Sequence, residues 1–162
     1  MYKSIFKAFL LLTTLHLSLF SRDINIDDIV KKANQSHKHL FLYLHRKDCV
    51  YCEEMLTFTI NDDEVKKILG NKFIYEHIDI LDKDHVVYKS FKGNGKEFAR
   101  LIGYDMYPTS IFFDKNEKIV YAQPGVIDKN RFILLLQYIS GNLFKTIDFE
   151  DYVGKIGHKE KK

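Results

Sequence analysis

Between residues 23 and 144 the apolar positions fall into short blocks, and the spacing inside each block separates helix from strand. Ile26, Ile29, Val30 and Ala33 recur at three- and four-residue steps, with Asp27 and Asp28 early and Lys31 and Lys32 late. This is an amphipathic helix whose charges suit its dipole. His39–His45 (His-Leu-Phe-Leu-Tyr-Leu-His) is a continuous apolar run too short for a typical helix, and is expected as a strand buried on both faces. Helices are predicted from Cys49 to about Thr59 and over residues 62–69, the second stopped by Gly70 and Asn71. Residues 73–80 are β-branched and aromatic enough for a second strand, and residues 86–91 predict a short third. Gly93-Asn94-Gly95 reads as a turn into a helix over 96–102, closed by Gly103. Thr109–Phe113 and residues 118–122, separated by the polar residues 114–117, predict an antiparallel hairpin. Asp128 is the expected cap of a last helix reaching 139, with Phe132, Leu135, Leu136 and Ile139 on one face. Strands alternating with helices and then a hairpin imply an α/β fold, a mixed sheet covered on both faces. Beyond Gly141 the pattern becomes mixed, and the basic tail over 146–162 is expected to fray.

Composition narrows the class. A chain of 162 residues, 46% hydrophobic, can bury the core of one domain, and 13 Phe and 10 Tyr argue against disorder. Two prolines and eight glycines exclude collagen-like or Pro/Gly-rich classes. Residues 1–21 hold Lys3 and Lys7, no acid, an apolar stretch over 8–20 and then Ser21, the shape of a secretory signal. The apolar stretch is shorter than the ~20 residues that span a bilayer. Ser18 and Ser21 are candidate cleavage positions, and an uncleaved anchor is the alternative. Without Lys3 and Lys7, 23 basic residues face 22 acidic ones, so nothing asks for nucleic acid as a partner.

The candidate chemistry lies in two cysteines, spaced Cys49-Val-Tyr-Cys52 at the junction of the buried strand and a helix. A cysteine at a helix start meets unpaired backbone amides and the positive end of the dipole, which stabilise a thiolate. Cys49 is the expected nucleophile, and Cys52, three residues on and deeper, the resolving thiol. Two other uses stay open. A structural disulfide here closes a four-residue ring, removes little chain entropy and staples weakly. A metal site would draw on His37, His39 or His45 with the cysteines, but His39 and His45 stand about 20 Å apart along a strand and cannot share an ion. Both cysteines with His45 alone leave a ligand missing, and no metal ligand is assigned.

The sequence resembles the exported, periplasmic thioredoxin-like thiol-disulfide oxidoreductases. The likeness covers residues 24–138 and rests on Leu42-Tyr-Leu-His-Arg-Lys-Asp-Cys-Val-Tyr-Cys52-Glu-Glu-Met, on Gly103-Tyr-Asp-Met-Tyr-Pro-Thr-Ser-Ile-Phe-Phe-Asp114, and on Pro124-Gly125. It implies a thioredoxin-like three-layer α/β/α sandwich over 22–145 with a central mixed sheet. It also implies a monomer that exchanges disulfides with client proteins outside the cytoplasm, without a bound cofactor, served by a membrane-bound thiol donor or oxidase. A cis bond between Tyr107 and Pro108 facing the cysteines is implied, leaving the backbone of Tyr107 to pair with an extended substrate. Gly125 would admit a partner closely, and Tyr51 and Tyr107 would form an aromatic rim. Residues 61–69 and 91–99 resemble the sulfur-oxidation-associated branch.

The departures bear on mechanism. Cytosolic thioredoxins carry Trp before the first cysteine and Gly-Pro between the two, where this chain has Asp48, Val50 and Tyr51. Tyr43 stands where they bury an Asp that accepts the resolving thiol's proton, and a tyrosine, with an ordinary pKa near ~10, is a poor base. Water, His45 or Glu53 would then take that proton. A protonated His45 would favour the Cys49 thiolate; a packed core histidine is the other reading. Asp48, Glu53 and Glu54 oppose the helix dipole, so a reducing role is expected over an oxidising one. The alternative function is a non-catalytic module of the same fold that binds a partner or handles copper or zinc.

Overall fold

Leu40, Phe41, Leu42, Tyr43 and Leu44 are consecutive, and all five are almost wholly removed from solvent. A strand buried on both faces needs a layer on each side, and the computed structural model, which describes residues 22–159, supplies them. In chain order the elements are β1 (Asp23–Asn25), α1 (Ile26–Gln35), β2 (His39–His45), α2 (Val50–Met55) running on into a π-helical segment (Leu56–Ile60), α3 (Asp63–Lys72), β3 (Phe73–Asp79), β4 (His85–Tyr88), β5 (Phe91–Asn94), α4 (Gly95–Ile102), β6 (Thr109–Phe113), β7 (Ile119–Pro124), α5 (Lys129–Ser140), a 3-10 turn (Leu143–Lys145) and α6 (Phe149–Lys159). The segment read as a secretory signal lies outside the described residues.

The central sheet is mixed and has the order β3–β2–β6–β7. β2 runs parallel to β3 and antiparallel to β6, which forms the expected hairpin with β7. Leu40, Leu42 and Leu44 face one core with Ile78, Ile111 and Phe113, closed by Ile26 and Val30 of α1 and Phe98 of α4. Phe41 and Tyr43 face the other with Phe73 and Phe112, against Met55, Val65, Leu69, Phe132, Leu136 and Ile139 from the helices beyond. The result is a three-layer α/β/α arrangement. Asp62 caps α3 by accepting from Glu64 N at 2.9 Å, and Asp128 caps α5 by accepting from Arg131 N at 3.0 Å.

Beyond α3, which runs through Gly70 and Asn71 to Lys72 where those residues were expected to stop it, Gly70 having no left-handed φ, the structure departs from the sequence reading in two places. A second sheet, β1–β4–β5, packs beside the central one where a single sheet was expected. Its strands are three and four residues long, and β5 contains the Gly93-Asn94 pair that reads as a turn. Gly93 meets a packing need: a Cβ there would lie 2.7 Å from the Phe91 ring. Asn94 ends the strand by forming a capping box with Glu97, each side chain accepting from the other's backbone N at 3.0 Å. The second departure is the C-terminal region, which does not fray before residue 159. Phe149 is 3% exposed and packs against Tyr121 and Tyr138, whose hydroxyl donates to Ile147 O at 2.7 Å. Arg131 pairs with Glu150 and lies over the Phe149 ring. The partners of this helix come from β7 and α5, so the local sequence carries little trace of them.

Two outcomes are expected. Phe149→Ala should cost about 3–5 kcal/mol in urea unfolding, the usual range for a buried phenylalanine, whereas a frayed tail would lose nothing. His39 packs against Phe73 and Phe144, and burial holds its pKa below the ordinary 6.5. The folded state favours its neutral form, so its contribution is complete above pH 6.5 and is lost as the pH falls through the depressed value. Unfolding free energies between pH 8 and 5 should decline less steeply in His39→Gln than in the parent chain.

Candidate active site

β2 delivers the chain to the edge of the core at His45, and residues 46–48 carry it across to α2. Arg46 and Asp48 brace this passage, with Nε and a second guanidinium nitrogen donating to the two carboxylate oxygens at 2.9 and 3.0 Å. That bond holds the exposed Asp48 carboxyl below its ordinary pKa. Cys49 then takes the N-cap position in an extended conformation, and its sulfur accepts from Cys52 N at 3.2 Å. A backbone amide and the start of a helix are therefore aimed at this sulfur, the arrangement that favours a thiolate. Cys49 is half-buried and Cys52 is 3% exposed. The two form a disulfide with Cα atoms 5.2 Å apart, so the reactive pair needs no backbone rearrangement to close.

Three further segments converge here. The Tyr107–Pro108 peptide bond is cis, and the Tyr107 carbonyl lies 3.9 Å from Cys49 Sγ. Gly125, with φ of 81°, donates its N–H to Pro108 O at 2.7 Å and so ties the end of β7 to the proline loop. Thr59, buried in the π-helical segment, donates to Ile127 O at 2.9 Å and ties the far end of the cysteine helix to the segment that follows Gly125. Of the residues picked out by sequence, Cys49, Cys52, Tyr107, Pro108 and Gly125 are brought together. Tyr51 points outward from the first turn of α2, 66% exposed.

Tyr43, His45 and Glu53 divide differently. The Tyr43 hydroxyl donates to Cys52 O at 2.8 Å, and burial drives its pKa far above the ordinary value of 10. A phenol so held remains protonated and fixes the backbone of Cys52; it is not a base. His45 stacks on Tyr43 and meets His77, Nε2 to Nδ1 at 3.1 Å. Burial lowers its pKa more than the charge of Asp79 raises it, which disfavours the protonated form that would promote a Cys49 thiolate. The Glu53 carboxylate accepts from Thr57 Oγ1 at 3.3 Å. Among the described residues neither the His45 nor the Glu53 side chain hydrogen-bonds Cys49 or Cys52. Sequence reasoning missed Thr59 and His77, since the contacts of both depend on pairing and packing across the fold.

The profile of a family described as the thioredoxin-like domain matches residues 26–140. Among proteins with curated functions none matches the sequence. Solved structures with the same fold include a thioredoxin-fold protein from Helicobacter pylori, 23% identical, TM-score 0.63, covering 75% of this chain and 81% of that one. A thioredoxin from Thermus thermophilus is 21% identical, TM-score 0.58, covering 74% and 86%. The C-terminal domain of Neisseria meningitidis DsbD in its reduced form is 16% identical, TM-score 0.51, covering 69% and 88%.

Removing only the phenol oxygen, as in Tyr43→Phe, keeps the buried ring and leaves Cys52 O with the Leu56 amide but without its side-chain donor. A stability loss of about 1 kcal/mol is expected in urea unfolding of the oxidised protein, with the fold intact by circular dichroism.

Proposed function

The chain belongs to the thioredoxin-like domain family, and on that premise we propose that it is an exported thiol-disulfide oxidoreductase that reduces client proteins through Cys49 and Cys52. The observation that carries this reading is the asymmetry of the pair: the half-buried Cys49 sulfur receives a helix amide while Cys52 lies buried behind it. In the reducing direction the Cys49 thiolate attacks one sulfur of a client disulfide, whose S–S bond breaks and whose other sulfur leaves as a thiolate. Cys52, losing its proton to water, attacks Cys49 Sγ, closes the intramolecular disulfide and releases the second client sulfur. Two electrons pass to the client, and a membrane-bound thiol donor restores the pair. No bound cofactor is required.

Tyr107, Pro108, Tyr51 and Gly125 are the proposed client contacts. Support comes from the apolar side chains left in water on these segments: Val50 beside Tyr51 on α2, Met106 beside Tyr107, and Val126 after Gly125, at 80%, 62% and 40% exposure. The acids at the helix start favour a reducing potential, with Asp48 weakened in this by Arg46. Export rests on the cationic and apolar pattern of residues 1–21. The likeness to the sulfur-oxidation-associated branch is supported by the short helix α3 and the Gly-containing strand β5 ahead of α4.

Cys52→Ser should accumulate mixed disulfides through Cys49 that dithiothreitol releases, whereas a binding module would keep its partner under reducing conditions. Equilibration of the parent chain with glutathione should give a potential near about −270 mV; a value near about −120 mV would make it an oxidant instead.

A further inference from the structure

The C-terminal end of the β2–β3 pair holds a cluster that thiol exchange leaves unused. In the parallel register His45 lies opposite Asp79, and Tyr43 opposite His77, so the two histidines share one face of the sheet, one step apart along the ladder. His45 Nε2 and His77 Nδ1 face each other at 3.1 Å, with ring centroids 5.3 Å apart. Two imidazole nitrogens bound tetrahedrally to one zinc-sized ion, each about 2.0–2.1 Å from it, lie about 3.3 Å apart. The pair therefore stands within about 0.2–0.3 Å of that spacing.

The surroundings suit the same purpose. Tyr43 stacks on the His45 ring with centroids 5.2 Å apart. His77 is exposed, which gives an ion a path from solvent and lets the ring adjust without disturbing the core. Asp79 and Asp82 place negative charge near His45. Among the described residues no group of three or more His, Cys, Asp or Glu could hold a metal ion, so an ion at this pair would have two protein ligands.

We propose that His45 and His77 form a two-histidine site for a divalent first-row transition ion, Cu²⁺ or Zn²⁺, separate from Cys49 and Cys52. Imidazole is a good ligand for both ions. An ion bound there joins the ends of β2 and β3 where the chain leaves the sheet for Cys49.

The test uses the full chain with the Cys49–Cys52 disulfide closed, so that no thiolate binds or reduces copper and the result does not depend on the proposed exchange activity. Titration with Cu²⁺, followed by calorimetry and electron paramagnetic resonance, should show one equivalent with two coordinated imidazole nitrogens. His77→Ala, a surface change, should lower the affinity at least tenfold and remove one nitrogen from the spectrum. His45→Ala should do the same, and His39→Gln should leave binding unchanged. Absence of Cu²⁺ binding by the parent chain, or undiminished affinity in His77→Ala, would overturn the proposal.

Discussion

Burial of β2 on both faces is the constraint from which the other features descend. A strand with leucines on one side and aromatic rings on the other cannot sit at a surface, so helices must cover each face and further strands must take its hydrogen bonds. Parallel pairing on one side and antiparallel on the other then places the end of β2 beside the start of β6. That is where Cys49 and Pro108 meet. The reactive pair is thus positioned by a hydrophobic requirement acting some residues upstream, and the loop residues around it refine a location already set.

The same strand reaches the chemistry through Tyr43. Its ring belongs to the core and its hydroxyl to the cysteine helix, so packing and the placement of Cys52 are joined in one side chain. A buried carboxyl at this position could take up a proton; a buried phenol cannot at neutral pH, and it offers a fixed donor in exchange. The Arg46–Asp48 pair acts similarly at the other end of the loop, by removing much of the opposition that a lone carboxylate would present to a thiolate.

What could be read from the sequence follows from how local each signal is. The two-faced run of β2, the hairpin with its polar connection, the Asp128 cap and the cysteines at a strand-to-helix junction all lie within a few residues, and each is found where the pattern put it. β1 and β5 escaped because their strand character comes from pairing with β4, not from their own side chains. α6 escaped because Phe149 finds its partners on Tyr121 and Tyr138. Within the site, the cysteines and the proline loop were legible as motifs. The meeting of His45 with His77 was not, since it depends on the register of two strands separated by α2 and α3.

The hydrogen bond from Tyr43 to the Cys52 carbonyl has a consequence for recognition. The Cys52 backbone is anchored to the centre of the sheet, so under the proposed exchange, making or breaking the Cys49–Cys52 bond would turn side chains and leave the start of α2 in place. A client protein would then meet the same helix start before and after exchange. On that reading the telling of one redox form from the other falls to the two sulfur atoms, while the surface around Tyr107, Pro108 and Gly125 selects the client in either form.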